Sequence, residues 1–454
     1  MVGLPARGKS YIVKKLARYL NWLQFNTRIY NAGERRRTAA ATQLGPQKQL
    51  SSAAFFDPGN PQCVAMRDKI ALDTLDELVR WLKSEEGCVG IFDATNTTVE
   101  RRRLVMSHIR KHTNPPPDVL FLESYTFDTN ILQSNLRLKL SGPDYHHQKQ
   151  EEALADFLQR VTHYEKSYTP VGIFEEQQKL SYVRMIDVGR KIETHLIHGF
   201  LSSQVVDYLL NFNLAERQIW LTCNGESLDD RVGRIGRNSD LSHHGSQYAA
   251  TLEKFISERR EAWEQDRRRK TFEADLEAKR GMRFEDRQYN RDDGKDDSCC
   301  TFEDTVPLAI WTSMMPQAIH TARPFSRQSI ATKQLKMLDD LNAGDMAGLT
   351  FSEIEKLHPA VFASRQRNKL LYRWPGLGGE AYIDVINRLR AVIIELERVR
   401  FHVLLVTHRA VVRVLLGYFL GVKSDGIAAM KIPKDSLFCL EPVSYVHCHS
   451  LEHS

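Results

Sequence analysis

Short apolar runs that end in small polar or acidic residues recur along the first part of the chain: TRIYNAG at 27–33, VGIFDA at 89–94, VLFLES at 119–124 and VRMIDVG at 183–189. Helix-like stretches separate them, and strands alternating with helices predict a parallel α/β sheet. A second series, QIWLTC at 218–223, LAIWTS at 308–313 and HVLLVTH at 402–408, is spaced by long helical segments and predicts a second α/β domain. Residues 191–214, with apolar positions at helical spacing and no proline, read as a connecting helix between the two. Single cores rarely exceed roughly 250 residues, so a chain of 454 fits this division. The expected domains are 1–212 and 213–454.

Residues 258–297 break the pattern, with 25 charged residues in 40, 12 basic and 13 acidic. Few apolar positions and nearly balanced charge suit a solvated helix that frays into a disordered insertion, about 258–300. Over the whole chain the composition is that of a globular protein, 42% hydrophobic and 26% charged. The formal charge of +6 is a small excess of 63 basic over 57 acidic residues, which does not indicate nucleic-acid binding. Cys63, Cys88, Cys223, Cys299, Cys300, Cys439 and Cys448 are odd in number and contain no CxxC pair, against a zinc framework or a set of disulfides. Reduced thiols in a cytoplasmic protein are expected. No apolar run approaches 18 residues, so no membrane span is expected.

The first chemistry in the chain is GLPARGKS, residues 3–10, which fits G-x-x-x-x-G-K-[ST]. In such a loop Gly3 and Gly8 let backbone N–H groups converge on phosphate oxygens. Lys9 reaches the β- and γ-phosphates, and the Ser10 hydroxyl can ligate Mg²⁺. The helical spacing of SYIVKKLARYLNWL puts the anion at a helix N-terminus. VGIFDATNTT then places Asp93 at a strand end, where a carboxylate is needed to hold or orient the metal. Together these predict an ATP-dependent phosphotransferase. A loop of this kind is expected to follow a buried strand of about five residues. Only Met1 and Val2 precede Gly3, so the sequence as given starts inside that strand. Arg35, Arg36, Arg37, Arg67, Arg101, Arg102, Arg103, Lys139 and Arg160 are numerous enough to suggest a phosphorylated small-molecule acceptor, which planar guanidinium forks bind well.

The strings MVGLPARGKSYI, RYLNW, FDATNTT, SGPDY (141–145), DVGR (187–190), GRIG (233–236), DLNAG (340–344) and YRWP (372–375) resemble, in order and through nearly the whole chain, the bifunctional 6-phosphofructo-2-kinase/fructose-2,6-bisphosphatase family. The resemblance implies an N-terminal P-loop kinase domain and a C-terminal domain of histidine-phosphatase, or phosphoglycerate-mutase-like, fold. It implies ATP binding by Gly3, Leu4, Pro5, Ala6, Arg7, Gly8, Lys9 and Ser10, with Asn135 and Lys139 from NLRLK. Lys9 and Asp93 would be catalytic, and Ser10 and Asp93 would hold Mg²⁺. Fructose 6-phosphate would be bound by Arg36, Arg67, Thr95, Arg101, Lys139, Arg160 and Tyr164. Thr126 stands where the family has a cysteine, which the chemistry does not need. The expected partners are these small molecules, with no nucleic acid and no membrane; the resemblance leaves room for a homodimer.

The second half departs at its centre. Where the family has Arg-His-Gly-Glu, this chain has Cys223-Asn224-Gly225-Glu226. An amide cannot take up a phosphoryl group as a histidine does. Removing a covalent nucleophile elsewhere costs on the order of 10⁶ in turnover. Arg234, Arg365, Lys369, Tyr382, His408 and Arg413 match the family's sugar-phosphate pocket, while Asp340 replaces its acid glutamate and Arg409 its glutamine. The resemblance is thus to a kinase-only member with a degenerate phosphatase site. Two other readings are a catalytically impaired sugar-phosphate-binding regulatory protein and a bifunctional enzyme with residual hydrolysis that uses His408 as nucleophile.

Overall fold

The computed structural model describes the chain except residues 43–52, 143, 146–147, 237, 282–304, 329, 443–445 and 452–454. Two compact units divide it. The first comprises 1–214 with 393–398 and 421–424, and the second comprises 215–392, 399–420 and 425–454.

In the first unit the expected strands form as β1 (Thr27–Asn31), β2 (Val89–Asp93), β3 (Leu120–Tyr125) and β4 (Ser181–Ile186). Strands β1 and β2 pair in parallel, as do β3 and β4. Met1 and Val2 stand between these pairs. Val2 bridges Glu123 of β3 in parallel, its N–H donating to the Leu122 carbonyl at 2.7 Å, and the Met1 amine donates to the Phe92 carbonyl of β2 at 3.0 Å. Val2 is wholly buried with Met106, Phe121, Val171, Leu180 and Tyr182.

The connecting helix expected over 191–214 is only partly there. Lys191–His195 instead forms β5, antiparallel to β4, and the helix runs from Phe200 to Leu210. Its apolar spacing is real, but the preceding Lys-Ile-Glu-Thr-His is a half-exposed edge strand whose few apolar positions carry no helical signal.

Helices Lys9–Trp22 and Pro61–Leu82 pack on β1 and β2, Val99–His112 packs on Pro61–Leu82, and Thr129–Leu140 and Gln150–Glu165 pack on each other. Asn60 caps the second of these by accepting from the amides of Gln62 and Cys63, and Thr98 caps the third by accepting from Arg101. Leu75 and Val79 of Pro61–Leu82 bury against Val105 and Ile109 of Val99–His112.

In the second unit six strands pair in the order β11-β10-β6-β9-β7-β8 among the described residues. They are β6 (Ile219–Cys223), β7 (Leu308–Thr312), β8 (Ala331–Gln334), β9 (His402–Thr407), β10 (Leu437–Pro442) and β11 (Val446–Leu451). Strands β6, β9, β7 and β8 are parallel; β10 and β11 add an antiparallel edge. Every residue of β9 is buried, as a central parallel strand covered on both faces requires. Trp220, Ile310, Phe325, Leu404 and Val406 join Tyr248, Leu252 and Ile256 of helix His243–Gly281 in one core. That helix takes up the first part of the charged segment; residues 282–304 lie outside the described residues.

Candidate functional site

Gly3–Ser10 turns from the Val2 bridge into helix Lys9–Trp22 through Gly3 at φ 134°, Ala6 at 57° and Gly8 at 79°. A Cβ on Gly3 would lie 2.5 Å from the Ser124 carbonyl oxygen, so only glycine lets the loop pass this close to β3. No side chain caps the helix after Gly8. Its first-turn amides and the helix dipole therefore favour an anion in the loop. Lys9 is buried beside it, its ammonium donating to the carbonyls of Gly3 (2.8 Å) and Leu4. Burial pushes that ammonium down to about 7 against the pull of Asp93, with Lys139, Arg160 and Arg7 lowering it further.

Asp93 is buried at the end of β2, and its Oδ2 accepts from Asn31 Nδ2 at 2.7 Å and Ser10 Oγ at 3.2 Å. Asn31 is its register partner in β1. The polar pair thus forms at the carboxyl ends of adjacent parallel strands, where open α/β sheets place ligands. A hydroxyl and a carboxylate within hydrogen-bond reach are hard oxygen donors and fit a divalent cation of the Mg²⁺ type. Asn135 of the helix Thr129–Leu140 comes within 4.0 Å of where a Gly8 Cβ would stand, and the Gly3 N–H donates to the Thr95 carbonyl at 3.0 Å.

A second cationic cluster adjoins the first. Arg36, nearly fully buried, reaches both oxygens of Asp144 at 2.9 Å, Arg160 approaches the same carboxylate at 3.4 Å and Arg37 at 3.7 Å. Burial pushes the Asp144 carboxyl up, but the three guanidiniums outweigh it and hold it below the usual range. Burial and Arg160 push the Lys139 ammonium down, while Asp93 and Asp144 act on it in the opposite sense. The Arg160 guanidinium stacks 3.9 Å over Phe56, with Arg36 at 5.2 Å from the same ring and Tyr164 packed on it at 5.6 Å between centroids. Arg67 donates to the Phe55 carbonyl, and Arg101 donates to the Arg67 carbonyl at 3.1 Å and pairs with Asp68.

The neighbouring basic residues do other work. Arg102 is wholly buried, binding Glu175 at 2.6 Å and the carbonyls of Asn96, Thr169 and Pro170. Arg103 lies over Phe174. Asn31, Phe56 and Asp144 were missed in the sequence reading. Asn31 lies in the run TRIYNAG and Asp144 in SGPDY, whereas Phe56 falls in neither.

In the second unit the strand ends of β6 and β9 bring Cys223, Asn224 and His408 together. The Asn224 N–H donates to the Thr407 carbonyl at 2.7 Å, and its Nδ2 faces Gly225 O at 2.9 Å and Asp230 Oδ2 at 3.4 Å. Desolvation pushes the Cys223 thiol up to about 12, although Arg409 and Arg413 pull it down; Asp340 and Asp230 act with burial. Buried His408 shares a 2.8 Å hydrogen bond with Ser313 Oγ, and burial lowers its imidazole pKa despite Asp340, Asp339 and Asp230. Arg413 donates to Tyr382 Oη at 2.8 Å and to the Met430 carbonyl at 2.7 Å. Arg365 lies 4.3 Å from the Trp374 ring, with its buried Nη1 unpartnered. Arg388, missed in the sequence, fixes the Asp339–Asp340 backbone by donating to both carbonyls. Arg234 and Lys369 are exposed, and the Arg234 backbone bridges Thr350.

Residues 1–216 match the family model for 6-phosphofructo-2-kinase, and residues 301–446 that of the histidine phosphatase superfamily, branch 1. Over 98% of its length the chain is 41% identical to a probable 6-phosphofructo-2-kinase of Schizosaccharomyces pombe, 68% of which is covered. It is 46% identical to 6-phosphofructo-2-kinase 1 of Saccharomyces cerevisiae, spanning 50% of that protein's length. Against 6-phosphofructo-2-kinase/fructose-2,6-bisphosphatase 3 of Homo sapiens it is 35% identical and covers 74%. The chain therefore belongs to the 6-phosphofructo-2-kinase family, with a kinase domain followed by a domain of histidine-phosphatase fold.

Proposed function

We propose that the first unit transfers the γ-phosphoryl group of ATP to the 2-hydroxyl of fructose 6-phosphate in the cytoplasm, giving fructose 2,6-bisphosphate, and that the second unit no longer hydrolyses this product. The observation that carries the kinase reading is the convergence of Lys9, Ser10 and Asp93 on one anion-binding turn beside the Arg36–Arg160–Lys139 cluster. The loop amides and Lys9 would hold the β- and γ-phosphates. Arg36, Arg67, Thr95, Arg101, Lys139, Arg160 and Tyr164 would hold the sugar phosphate with its 2-hydroxyl toward the γ-phosphorus. Ser10 and Asp93 would hold Mg²⁺, which supplies neutralisation of phosphate charge. The bond from the sugar oxygen to phosphorus forms as the bond to the β-phosphate oxygen breaks, the hydroxyl proton passes to solvent, and ADP leaves. Little covalent work falls to the protein, so rate comes from positioning and from Lys9 facing the developing charge. Purified chain given ATP and fructose 6-phosphate is expected to form ADP only when the sugar phosphate is present, with an equal amount of fructose 2,6-bisphosphate. ADP formation indifferent to the sugar phosphate refutes the assignment.

Lys9 also makes ATP binding pH-dependent. With the free ammonium at about 7, the side chain is largely neutral at about pH 8, and an anion in the loop pulls its pKa back up. ATP binding above about pH 7 should then take up a proton, and affinity should fall as pH rises through that value. Calorimetry in buffers of different ionisation enthalpy measures the uptake, which should vanish in Lys9→Met. Equal uptake in both proteins contradicts this role.

The silent second unit rests on Asn224. It stands at the strand end facing Asp230 with no nucleophilic atom, beside a Cys223 thiol held protonated well above neutral pH.

A further inference from the structure

Outside both sites, one cluster among the described residues has the composition of a metal centre. Asp76, His108 and His112 offer ligand atoms that all lie within 4.8 Å of one another. His108 and His112 are four residues apart on helix Val99–His112, so they project from one face, their rings 4.2 Å apart between centroids. Asp76 comes from helix Pro61–Leu82, with its Oδ1 2.6 Å from His108 Nε2. The buried contacts of Leu75 and Val79 with Val105 and Ile109, the immediate or near neighbours of these residues, hold the two helices in register.

A plain histidine–carboxylate pair needs no third member, yet His112 is oriented as well. Its Nδ1 lies 2.9 Å from the His108 carbonyl oxygen, which can only accept, so Nδ1 carries the proton and Nε2 keeps its lone pair. This backbone bond is the kind of outer contact that fixes a metal-binding tautomer. The Asp76 side chain is 44% exposed and His108 14%, so the cluster is reachable from water and leaves room for a solvent ligand. Tetrahedral ligands at about 2.1 Å from a metal stand about 3.4 Å apart. The His108–Asp76 separation must open by under about 1 Å, which the exposed carboxylate can supply.

We propose that Asp76, His108 and His112 bind a late first-row divalent cation, zinc in the first instance, and that the ion staples helices Pro61–Leu82 and Val99–His112 together. Two imidazole nitrogens and one carboxylate suit zinc and its neighbours rather than Mg²⁺, which prefers an all-oxygen octahedron. The same helices carry Arg67 and Arg101 toward their other ends, so the staple would stiffen the frame of the proposed sugar-phosphate site.

The test is a zinc titration of the full chain by calorimetry, with Mg²⁺ present to occupy oxygen-only sites. It is run on the unaltered protein, on Asp76→Asn and on His108→Gln with His112→Gln. Other histidines and cysteines bind zinc equally in all three, so the difference is what is read. Both variants should weaken one equivalent by about 10-fold or more, at least the loss that outer contacts alone produce. Zinc should also raise the thermal midpoint of the unaltered chain more than that of either variant. Histidine-selective nitrogen NMR of the unaltered protein makes the result independent of how the variants fold, since zinc should shift two imidazole ring systems together. Identical titrations in all three proteins, or ring signals that do not move, overturn the proposal.

Discussion

Lys9→Ala should lower 6-phosphofructo-2-kinase turnover by roughly 10²- to 10³-fold or more, the range for losing one preorganised donor at a developing charge. The effect should fall on kcat as well as on ATP affinity, because in the proposed mechanism Lys9 faces the phosphate oxygens on which charge builds. The same substitution should not unfold the domain. The ammonium sits at about 7 in the fold against 10.5 for an ordinary lysine, so between these values the unfolded chain binds the extra proton. Stability from this group therefore rises with pH from about 7 to 10.5, and below about 7 the buried ammonium is a full liability. Removing it should leave the thermal midpoint of the first unit unchanged or higher at neutral pH while turnover collapses. A steady-state assay beside a thermal melt checks both. A melt that drops along with activity would show Lys9 to be structural instead.

The second large effect is a gain. Cys223→Arg combined with Asn224→His should raise hydrolysis of fructose 2,6-bisphosphate by at least about 10²-fold over the unaltered chain, part of the roughly 10⁶ that a covalent nucleophile is worth. The recovery should be partial for reasons visible in the pocket. A guanidinium at 223 enters the field of Arg409 and Arg413, offset by Asp340 and Asp230. An imidazole at 224 sits near Asp230, which stabilises its protonated form and reduces the neutral fraction able to attack phosphorus. Phosphate release from labelled product, with trapping of phosphohistidine, measures the gain. Release at the parent rate would mean that the surrounding groups, Asp340 and Arg409 first, have also drifted from a working geometry.

How much of this was legible in the sequence depended on whether the partners were neighbours along the chain. The loop Gly3–Ser10 and the strand end at Asp93 are local patterns, and the structure places Ser10 Oγ 3.2 Å from Asp93. Apolar runs such as HVLLVTH announced the central strands because both faces are buried. Strand β8, Ala331–Gln334, is exposed at every position and offers no hydrophobic signal. Strand β5 was lost because an apolar helix follows it closely. Asn31 and Asp144 were invisible as site residues, since each acquires its meaning from a side chain 62 or 108 positions away. Within the basic run at 101–103, sequence could not separate Arg101, which reaches the Arg67 carbonyl, from Arg102, which is sealed against Glu175. Breaking such a buried pair elsewhere costs about 3–5 kcal/mol, so its demand is for folding rather than for substrate.

The most direct measurement follows the product itself. The full chain is given ATP and fructose 6-phosphate, the ATP is then exhausted, and phosphorus NMR tracks the phosphate on the sugar 2-position. A kinase with a silent phosphatase fold predicts that this signal grows in step with ADP and then persists, with inorganic phosphate appearing no faster than in a protein-free control. Catalysed return of the product to fructose 6-phosphate and phosphate, or no 2-phosphate signal at all, would contradict it.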